Sequence, residues 1–218
     1  GGGQFDGIET QYIQPFFERK SYLSSLIDSD RIYMIGEDLL GSDFILDGTE
    51  GRLRVGPTPW HGGKPEENSL PHVKINIYPD PLTKKTGCLR VVPGSHLFTS
   101  PDLYEQLRTP NYSPDYRPFG MAPEDIYCMP LEVQSGDVVV FKEYTLHSSF
   151  GGGSGRHQLA CVFFANPVNE DQVKHLIDIY KTAKWSLRPS ESFINSERPR
   201  IRRMVSKLVE LGFEPLPY

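Results

Sequence analysis

Apolar positions change their spacing along the chain and divide it into a helical start, a β-rich middle and a helical end. Residues 12–40 carry apolar side chains at helical spacing, and Gly41 suits the end of a helix. From Asp43 onward, short apolar runs alternate with Gly and Pro, which predicts a series of short strands. The predicted strands are residues 43–47, 52–55, 58–61, 72–78, 87–92, 130–133, 137–141, 145–149 and 158–165. Residues 169–184 and 198–212 return to helical spacing.

Many short strands between turn signals favour an all-β sandwich or jelly roll with flanking helices. The length suits a single domain over residues 1–218, and the three opening glycines are typical of a linker remnant. Residues 101–128 interrupt the strands with five prolines, four tyrosines and one phenylalanine. An insertion of this kind is either a lid over a pocket or a packed surface excursion.

Composition narrows the classes of protein and of partner. The net charge is −5, which gives no general attraction to nucleic acid polymers or membranes. No apolar run approaches the length of a membrane span, and no signal peptide is recognisable. Three widely spaced cysteines form no metal-binding pattern, so a reduced, cytoplasmic setting is expected. These features leave a small-molecule partner as the expectation and do not address oligomeric state.

Two histidines and one arginine lie in or close to predicted strands. His61 closes the strand 58–61, and His147 lies 86 residues later, inside the strand 145–149. Arg156 follows His147 by nine residues. Each residue alone is more often structural than functional, and the set carries more information than any member.

The order of motifs around these residues resembles the phytanoyl-CoA dioxygenase family of iron(II)/2-oxoglutarate oxygenases. The matching stretches are Leu39–Phe44, Trp60-His61, the Gly-x-Leu-x-x-x-Pro-Gly-Ser-His run Gly87–His96, Gly136–Phe141, His147 and Arg156. The resemblance covers about two thirds of the chain, from Asp30 to Pro167. It implies a double-stranded β-helix, a cupin-like jelly roll that encloses its metal.

The resemblance also implies roles for individual residues. His61 and His147 would bind iron(II), which imidazole suits and which leaves sites for 2-oxoglutarate and O2. Arg156 would clamp the distal carboxylate of 2-oxoglutarate, because its planar fork binds a carboxylate through two hydrogen bonds. Ser149, two residues after His147, would support the same carboxylate.

Side-chain alternation in strand 72–78 separates an apolar face from a polar one. Lys74, Asn76 and Tyr78 share the polar face, which is directed either into the metal cavity or into solvent. In the cavity, Lys74 would help bind 2-oxoglutarate or a substrate anion, and Asn76 and Tyr78 would line the substrate. Trp60, beside a predicted ligand, would either wall the substrate pocket or pack in the core.

The family pattern Trp-His-x-Asp or Trp-His-x-Glu is broken at Gly63, which has no side chain to bind iron. One hypothesis is that Gly63 opens a site for a halide such as chloride, as in halogenases that carry His-x-Gly or His-x-Ala. A second is hydroxylation, with water or an acid such as Glu66 or Glu67 in the third position. A third is a non-catalytic descendant that binds a ligand, which the retained His61 and Arg156 argue against.

Other polar residues fit structural roles. His72 is expected to be exposed at the start of its strand, and His96 to belong to a structural turn. His157 should point to the face opposite Arg156. Arg198, Arg200, Arg202 and Arg203 form a basic cluster that is either a solvated helix face or an anion contact.

Overall fold

The computed structural model describes residues 5–62, 69–97, 105–108, 113 and 115–218. The strands are β1 (Gln11–Ile13), β2 (Ile45–Val55), β3 (Thr58–His61), β4 (His72–Ile77), β5 (Leu89–Val91), β6 (Met129–Leu131), β7 (Val138–Phe141), β8 (His147–Ser149) and β9 (Ser154–Phe164). The helices are α1 (Ser21–Asp28), α2 (Asp30–Leu40), α3 (Glu170–Thr182), α4 (Glu191–Ile194) and α5 (Pro199–Glu210).

The strands form two sheets whose order departs from the order in the chain. One sheet has the order β1-β2-β9-β4-β7 and the other the order β3-β8-β5-β6. Along the chain, only β1 with β2 and β5 with β6 are consecutive strands of the same sheet, and every other step from one strand to the next changes sheet. This alternation is typical of a jelly roll, so the predicted all-β fold with flanking helices is confirmed.

The start of the chain differs from the single predicted helix over residues 12–40. Strand β1 precedes a 3-10 turn at Phe17–Arg19, and two helices, α1 and α2, follow it. Pro15 explains why no helix covers the first residues, since proline disfavours helical backbone in the residue before it. Ser29 separates the two helices with an extended backbone (φ −67°, ψ 144°).

The two predicted strands 43–47 and 52–55 are one continuous strand, β2. Glycines at 48 and 51 are typical of a break, but Gly51 serves close packing instead. A Cβ at Gly51 would lie 2.5 Å from the ring of Phe16, so only glycine fits beneath that ring. A glycine inside a strand therefore marks a close approach here, and the predicted break at it is wrong.

The chain divides into two compact units. Unit 1 comprises Gly1–Gln11, Arg52–Pro65 and Asn76–Leu159, and unit 2 comprises Tyr12–Gly51, Glu66–Ile75 and Ala160–Tyr218. The core of unit 2 consists of apolar side chains with at most 9% exposure: Ile45, Leu70, Val162, Phe164, Leu176, Leu187, Leu208 and Phe213. Among the described residues, no helix is both long and apolar enough to cross a membrane. The single domain stays a prediction.

A glutamate is buried in unit 2 without a cationic side chain bonded to it among the described residues. Glu18 is 7% exposed, and its carboxyl accepts a hydrogen bond from the Thr49 hydroxyl. The same hydroxyl oxygen accepts from the backbone N–H groups of Phe16 and Phe17. Burial disfavours the charged carboxylate and raises the pKa of Glu18 from 4.5 to about 7.

The raised pKa of Glu18 predicts a loss of stability as pH rises. The folded state binds the proton more tightly than the unfolded state, so the contribution is complete below pH 4.5 and lost through pH 7. The loss amounts to about 3 kcal/mol at about 1.4 kcal/mol per pKa unit. Glu18→Gln should remove this pH dependence, measured as the free energy of urea unfolding between pH 5 and pH 8.

The exposed Glu191 offers a matched control for this measurement. Glu191→Gln should keep the wild-type dependence of unfolding free energy on pH. The same dependence in Glu18→Gln and in the wild type would contradict a neutral, buried Glu18.

Candidate metal and 2-oxoglutarate site

Two histidines that are far apart in sequence face each other across neighbouring strands. Strands β3 and β8 are antiparallel, and His61 pairs directly with His147. Residues opposite each other on paired strands project from the same face, and the two imidazole centroids lie 4.0 Å apart. Gly62 packs closely against Thr145, since a Cβ at Gly62 would lie 2.9 Å from the Thr145 carbonyl oxygen. The fold thus brings together the two predicted metal ligands.

Backbone carbonyls fix the tautomer of both rings. His61 Nδ1 lies 2.8 Å from the carbonyl oxygen of Pro59, and His147 Nδ1 lies 2.7 Å from that of Thr145. A carbonyl oxygen only accepts, so each Nδ1 carries hydrogen and the lone pair of each neutral ring lies on Nε2. Each imidazole is thus oriented from behind by the carbonyl two residues earlier, which is the usual support of a metal-binding histidine.

This pair of imidazoles fits iron(II), which nitrogen ligands suit. Among the described residues, no group of three or more His, Cys, Asp or Glu side chains could hold a metal ion. Of the predicted ligands, the described residues therefore include only the two histidines, and their binding of a metal stays a prediction. Gly63, Glu66 and Glu67, on which the third-ligand hypotheses depend, lie outside the described residues.

Arg156 is buried in a slot made of glycine backbone. Its side chain donates to the carbonyl oxygens of Gly87 at 2.9 Å and Gly153 at 3.4 Å, and also to that of Gly56. A Cβ at Gly87 would lie 2.1 Å from the guanidinium, and one at Gly152 would lie 2.2 Å from it. A side chain at either position would displace the guanidinium from this slot. Three of the five N–H donors of Arg156 are used in these bonds, which leaves two for a carboxylate.

Ser149 lies on β8 two residues after His147, so both side chains project from one face of the strand. Ser149 is 7% exposed and pairs with Thr58 on β3 and with Leu89 on β5. Ser148, between them, projects from the other face. The structure therefore places Ser149 beside the histidine pair, and its bond to 2-oxoglutarate stays a prediction.

The polar face of β4 does not contact solvent. Asn76 is 1% exposed and Tyr78 is 4% exposed, so the solvent alternative is wrong for both. Asn76 Nδ2 donates to the Tyr78 hydroxyl oxygen at 3.2 Å. Lys74, in unit 2, forms an ion pair of 3.0 Å with the buried Glu50 carboxylate. The roles of these residues toward substrate or 2-oxoglutarate stay predictions.

Trp60 lies in a hydrophobic cluster. It is fully buried and packs with Leu107, Ile126 and Leu146. Its indole N–H donates to the carbonyl oxygen of Pro123 at 2.7 Å. Alternation along β3 directs it away from the face of His61. These contacts favour the packing alternative, and its contact with a substrate stays a prediction.

The segment 101–128 is described only in part, because 98–104, 109–112 and 114 are outside the described residues. Its later part packs against Trp60 through Ile126 and Pro123. The role of this segment as a lid stays a prediction.

The histidines outside this pair have structural surroundings. His72 is 8% exposed and stacks near Phe164 at 4.8 Å, so the prediction of an exposed strand-start residue is wrong. The residue that covers His72 is distant in the sequence, so the local pattern does not reveal this burial. His157 is exposed whereas Arg156 is buried, which agrees with the predicted opposite faces, and His157 also pairs with Asp80 at 3.0 Å.

Three members of the arginine cluster on α5 are paired with acids of the N-terminal helices. Ion pairs join Arg198 to Asp28 at 2.8 Å, Arg200 to Asp30 at 2.6 Å and Arg203 to Glu37 at 3.5 Å. These contacts favour a structural role over an anion contact.

The backbone groups that hold the site were not predicted from the sequence. The carbonyls of Pro59 and Thr145 orient the imidazoles, and Gly87 and Gly152 make room for Arg156. Gly87 is visible as the first residue of the Gly87–His96 motif. Backbone acceptors leave no signature in the residue types, so nothing in the sequence marks the carbonyls.

Comparison with protein families gives one match. A family model described as "Phytanoyl-CoA dioxygenase (PhyH)" matches residues 54–157. This range contains both histidines, Ser149 and Arg156. No curated protein matches the sequence significantly.

Solved structures of similar fold include HygX from Streptomyces hygroscopicus with nickel and 2-oxoglutarate bound. The identity is 20% and the TM-score is 0.57 over 73% of this chain and 71% of HygX. The epimerase SnoN from nogalamycin biosynthesis is 19% identical, with a TM-score of 0.53 over 75% of this chain and 65% of SnoN. EvdMO1 is 20% identical, with a TM-score of 0.54; the match covers 77% of this chain and only 40% of EvdMO1. At these identities the likeness shows the fold.

Proposed function

We propose that this chain, in which residues 54–157 match the family model described as "Phytanoyl-CoA dioxygenase (PhyH)", is a non-haem iron(II)/2-oxoglutarate-dependent oxidoreductase that halogenates an unactivated C–H bond of a small molecule. One observation carries the proposal: a facing pair of oriented imidazoles, His61 and His147, accompanies Gly63, where the family has a carboxylate. The balanced reaction converts substrate C–H, chloride, 2-oxoglutarate, O2 and a proton into substrate C–Cl, succinate, CO2 and water.

The cofactors follow from the donors that the chain provides. His61 and His147 would hold iron(II), and Arg156 with Ser149 would hold 2-oxoglutarate. Bound together, these groups supply the oxidising power for attack on a C–H bond. HygX has been crystallised with iron and with nickel and 2-oxoglutarate, and SnoN with Fe3+ and alpha ketoglutarate, which supports the same pair of cofactors here.

The chain itself contributes orientation and exclusion of water. The carbonyl oxygens of Pro59 and Thr145 accept hydrogen bonds from the Nδ1 atoms of His61 and His147. Each ring therefore keeps the tautomer whose Nε2 lone pair can bind a metal. Phe141 packs edge-on against the His147 ring at 4.9 Å, and His147 is only 6% exposed. Little water reaches the ring, so charges held there interact more strongly than they would in bulk solvent.

Gly63 decides between halogenation and hydroxylation in this proposal. An aspartate at position 63 would fill a coordination position with a negative oxygen and would repel a halide beside it. Glycine does neither, so chloride can occupy that position. The runner-up is a hydroxylase in which water or a distant acid such as Glu66 or Glu67 takes the third position.

A small molecule is the substrate class that the relatives support. HygX has been crystallised with hygromycin B and SnoN with nogalamycin RO. In this chain, the buried polar pair Asn76 and Tyr78 are predicted substrate contacts, and Trp60, which packs in a separate apolar cluster, is a third. Lys74 is a predicted contact to 2-oxoglutarate or a substrate anion.

Chloride binding tests the proposal directly. The iron(II)-loaded protein, kept without oxygen, should develop a visible charge-transfer band on addition of 2-oxoglutarate, and chloride should shift that band. A band that ignores chloride would contradict the halogenase and favour the hydroxylase. No band at all would favour the non-catalytic hypothesis, since neither the metal nor the 2-oxoglutarate would then be assembled as proposed.

A further inference from the structure

Tyr78 lies close to the predicted clamp Arg156. Its ring is 4% exposed and packs in one cluster with Leu82, Cys88 and Val133. Gly87, the residue before Cys88, provides the carbonyl that accepts from Arg156 at 2.9 Å. Burial raises the pKa of Tyr78, and the hydrogen bond from Asn76, the positive charge of Arg54 and, to a smaller extent, that of Arg156 oppose this effect. The phenol and the guanidinium therefore share one small region of unit 1.

Three polar side chains in this region have hydrogen-bond donors or acceptors that no described residue satisfies. The Tyr78 hydroxyl oxygen accepts from Asn76, and among the described residues no acceptor meets the phenolic hydrogen. Arg156 retains two of its five N–H donors after its three bonds to glycine carbonyls. The Asn76 side chain is 1% exposed, and its Oδ1 atom lacks a partner within the described chain; this atom is an acceptor, so a carboxylate would leave it unsatisfied. A buried polar group without a hydrogen-bond partner costs about 1–3 kcal/mol of folding free energy. Such a group therefore indicates a ligand that supplies the partner.

The donors call for an anion with two oxygens. A guanidinium edge and a phenolic O–H together present hydrogens and no acceptor, which suits a carboxylate better than a neutral substrate group. We infer that Tyr78 donates a hydrogen bond to the distal carboxylate of 2-oxoglutarate beside Arg156, and that Asn76 is a positioning residue that orients the phenol. This inference rests on the proposed function, and it gives Tyr78 a partner other than the substrate.

The protonation state of Tyr78 suits a donor at every working pH. Burial raises the pKa of Tyr78 to about 12, so the phenol keeps its hydrogen below that pH. The ratio of the 2-oxoglutarate Kd in Tyr78→Phe to that in the wild type should therefore be constant between pH 6 and pH 9.

Binding calorimetry on the iron(II)-loaded protein without oxygen tests this inference. The two probes are 2-oxoglutarate and 2-oxobutyrate, a 2-oxo acid that lacks the distal carboxylate. Tyr78→Phe should raise the Kd of 2-oxoglutarate by about 10-fold or more, as expected for a hydrogen bond to a charged group. The Kd of 2-oxobutyrate should stay unchanged, because the bond concerned is absent from that complex.

Asn76→Ala should weaken 2-oxoglutarate binding by less than Tyr78→Phe, and the double variant should bind no more weakly than Tyr78→Phe alone. This non-additivity separates positioning from a general structural defect, which would weaken both probes. The exposed Tyr22, in α1 of unit 2, provides a matched control, since Tyr22→Phe should bind both probes as the wild type does.

The outcomes separate the inference from the proposed function. The wild-type protein could bind 2-oxoglutarate more tightly than 2-oxobutyrate while Tyr78→Phe has the same Kd for 2-oxoglutarate. This result would overturn the role of Tyr78 and leave the proposed function standing. Equal loss of both probes in Tyr78→Phe would also overturn the role of Tyr78. A wild-type protein that fails to bind 2-oxoglutarate would overturn the proposed function and the inference with it.

Discussion

Replacing Gly63 with aspartate is expected to abolish halide incorporation while leaving iron bound. The new carboxylate would complete a set of two histidines and one acid, the usual facial arrangement for iron(II) in oxygenases. It would occupy the position proposed for chloride and repel the anion from it. We expect formation of halogenated product to fall by at least about 100-fold, which corresponds to about 2.7 kcal/mol in the barrier. Product analysis by mass spectrometry in the presence of chloride measures this change.

Gly63→Ala is the matched control, since alanine adds bulk at the same position and no ligand. It should retain halogenation, because the His-x-Ala pattern also leaves the position open. Iron affinity should rise in Gly63→Asp and stay near the wild-type value in Gly63→Ala. Halogenation by Gly63→Asp at the wild-type rate would show that position 63 does not face the metal as proposed.

Replacing Arg156 with lysine is expected to raise the apparent KM for 2-oxoglutarate by about 100-fold, or about 2.7 kcal/mol. Lysine keeps the positive charge but cannot make the planar two-point contact with a carboxylate. Lysine would also leave some of the carbonyls of Gly56, Gly87 and Gly153 without their donor. We therefore expect a lower melting temperature as well, while kcat at saturating 2-oxoglutarate should change less than KM.

Arg90 allows this effect to be separated from the general loss of a guanidinium. Its side chain also donates to backbone carbonyls in unit 1, those of Lys84 and Glu124. Arg90→Lys should lower the melting temperature and leave the KM for 2-oxoglutarate unchanged. If Arg156→Lys behaves like Arg90→Lys in both measurements, Arg156 is a structural residue and the clamp must be sought elsewhere.

Several elements could be predicted from local sequence because their determinants are local. Strand β3 was predicted with its observed bounds, and Gly41 marks the end of α2 with φ 98°. The start of the chain shows the limit of such local patterns. Periodicity over residues 12–40 could not reveal β1, because three residues join a sheet only when a partner strand accepts them.

The sequence by itself determined the residue types of the candidate site and placed the two histidines, but not Arg156, on predicted strands. It named His61, His147 and Arg156, and it revealed the missing acid at Gly63. Only the tertiary structure decided that the two histidines pair directly, since register over 86 residues depends on long-range strand pairing. It also decided that the slot for Arg156 is made of Gly87 and Gly152. Such a slot requires two backbone segments to approach one side chain, and no pattern of neighbouring residues records that approach.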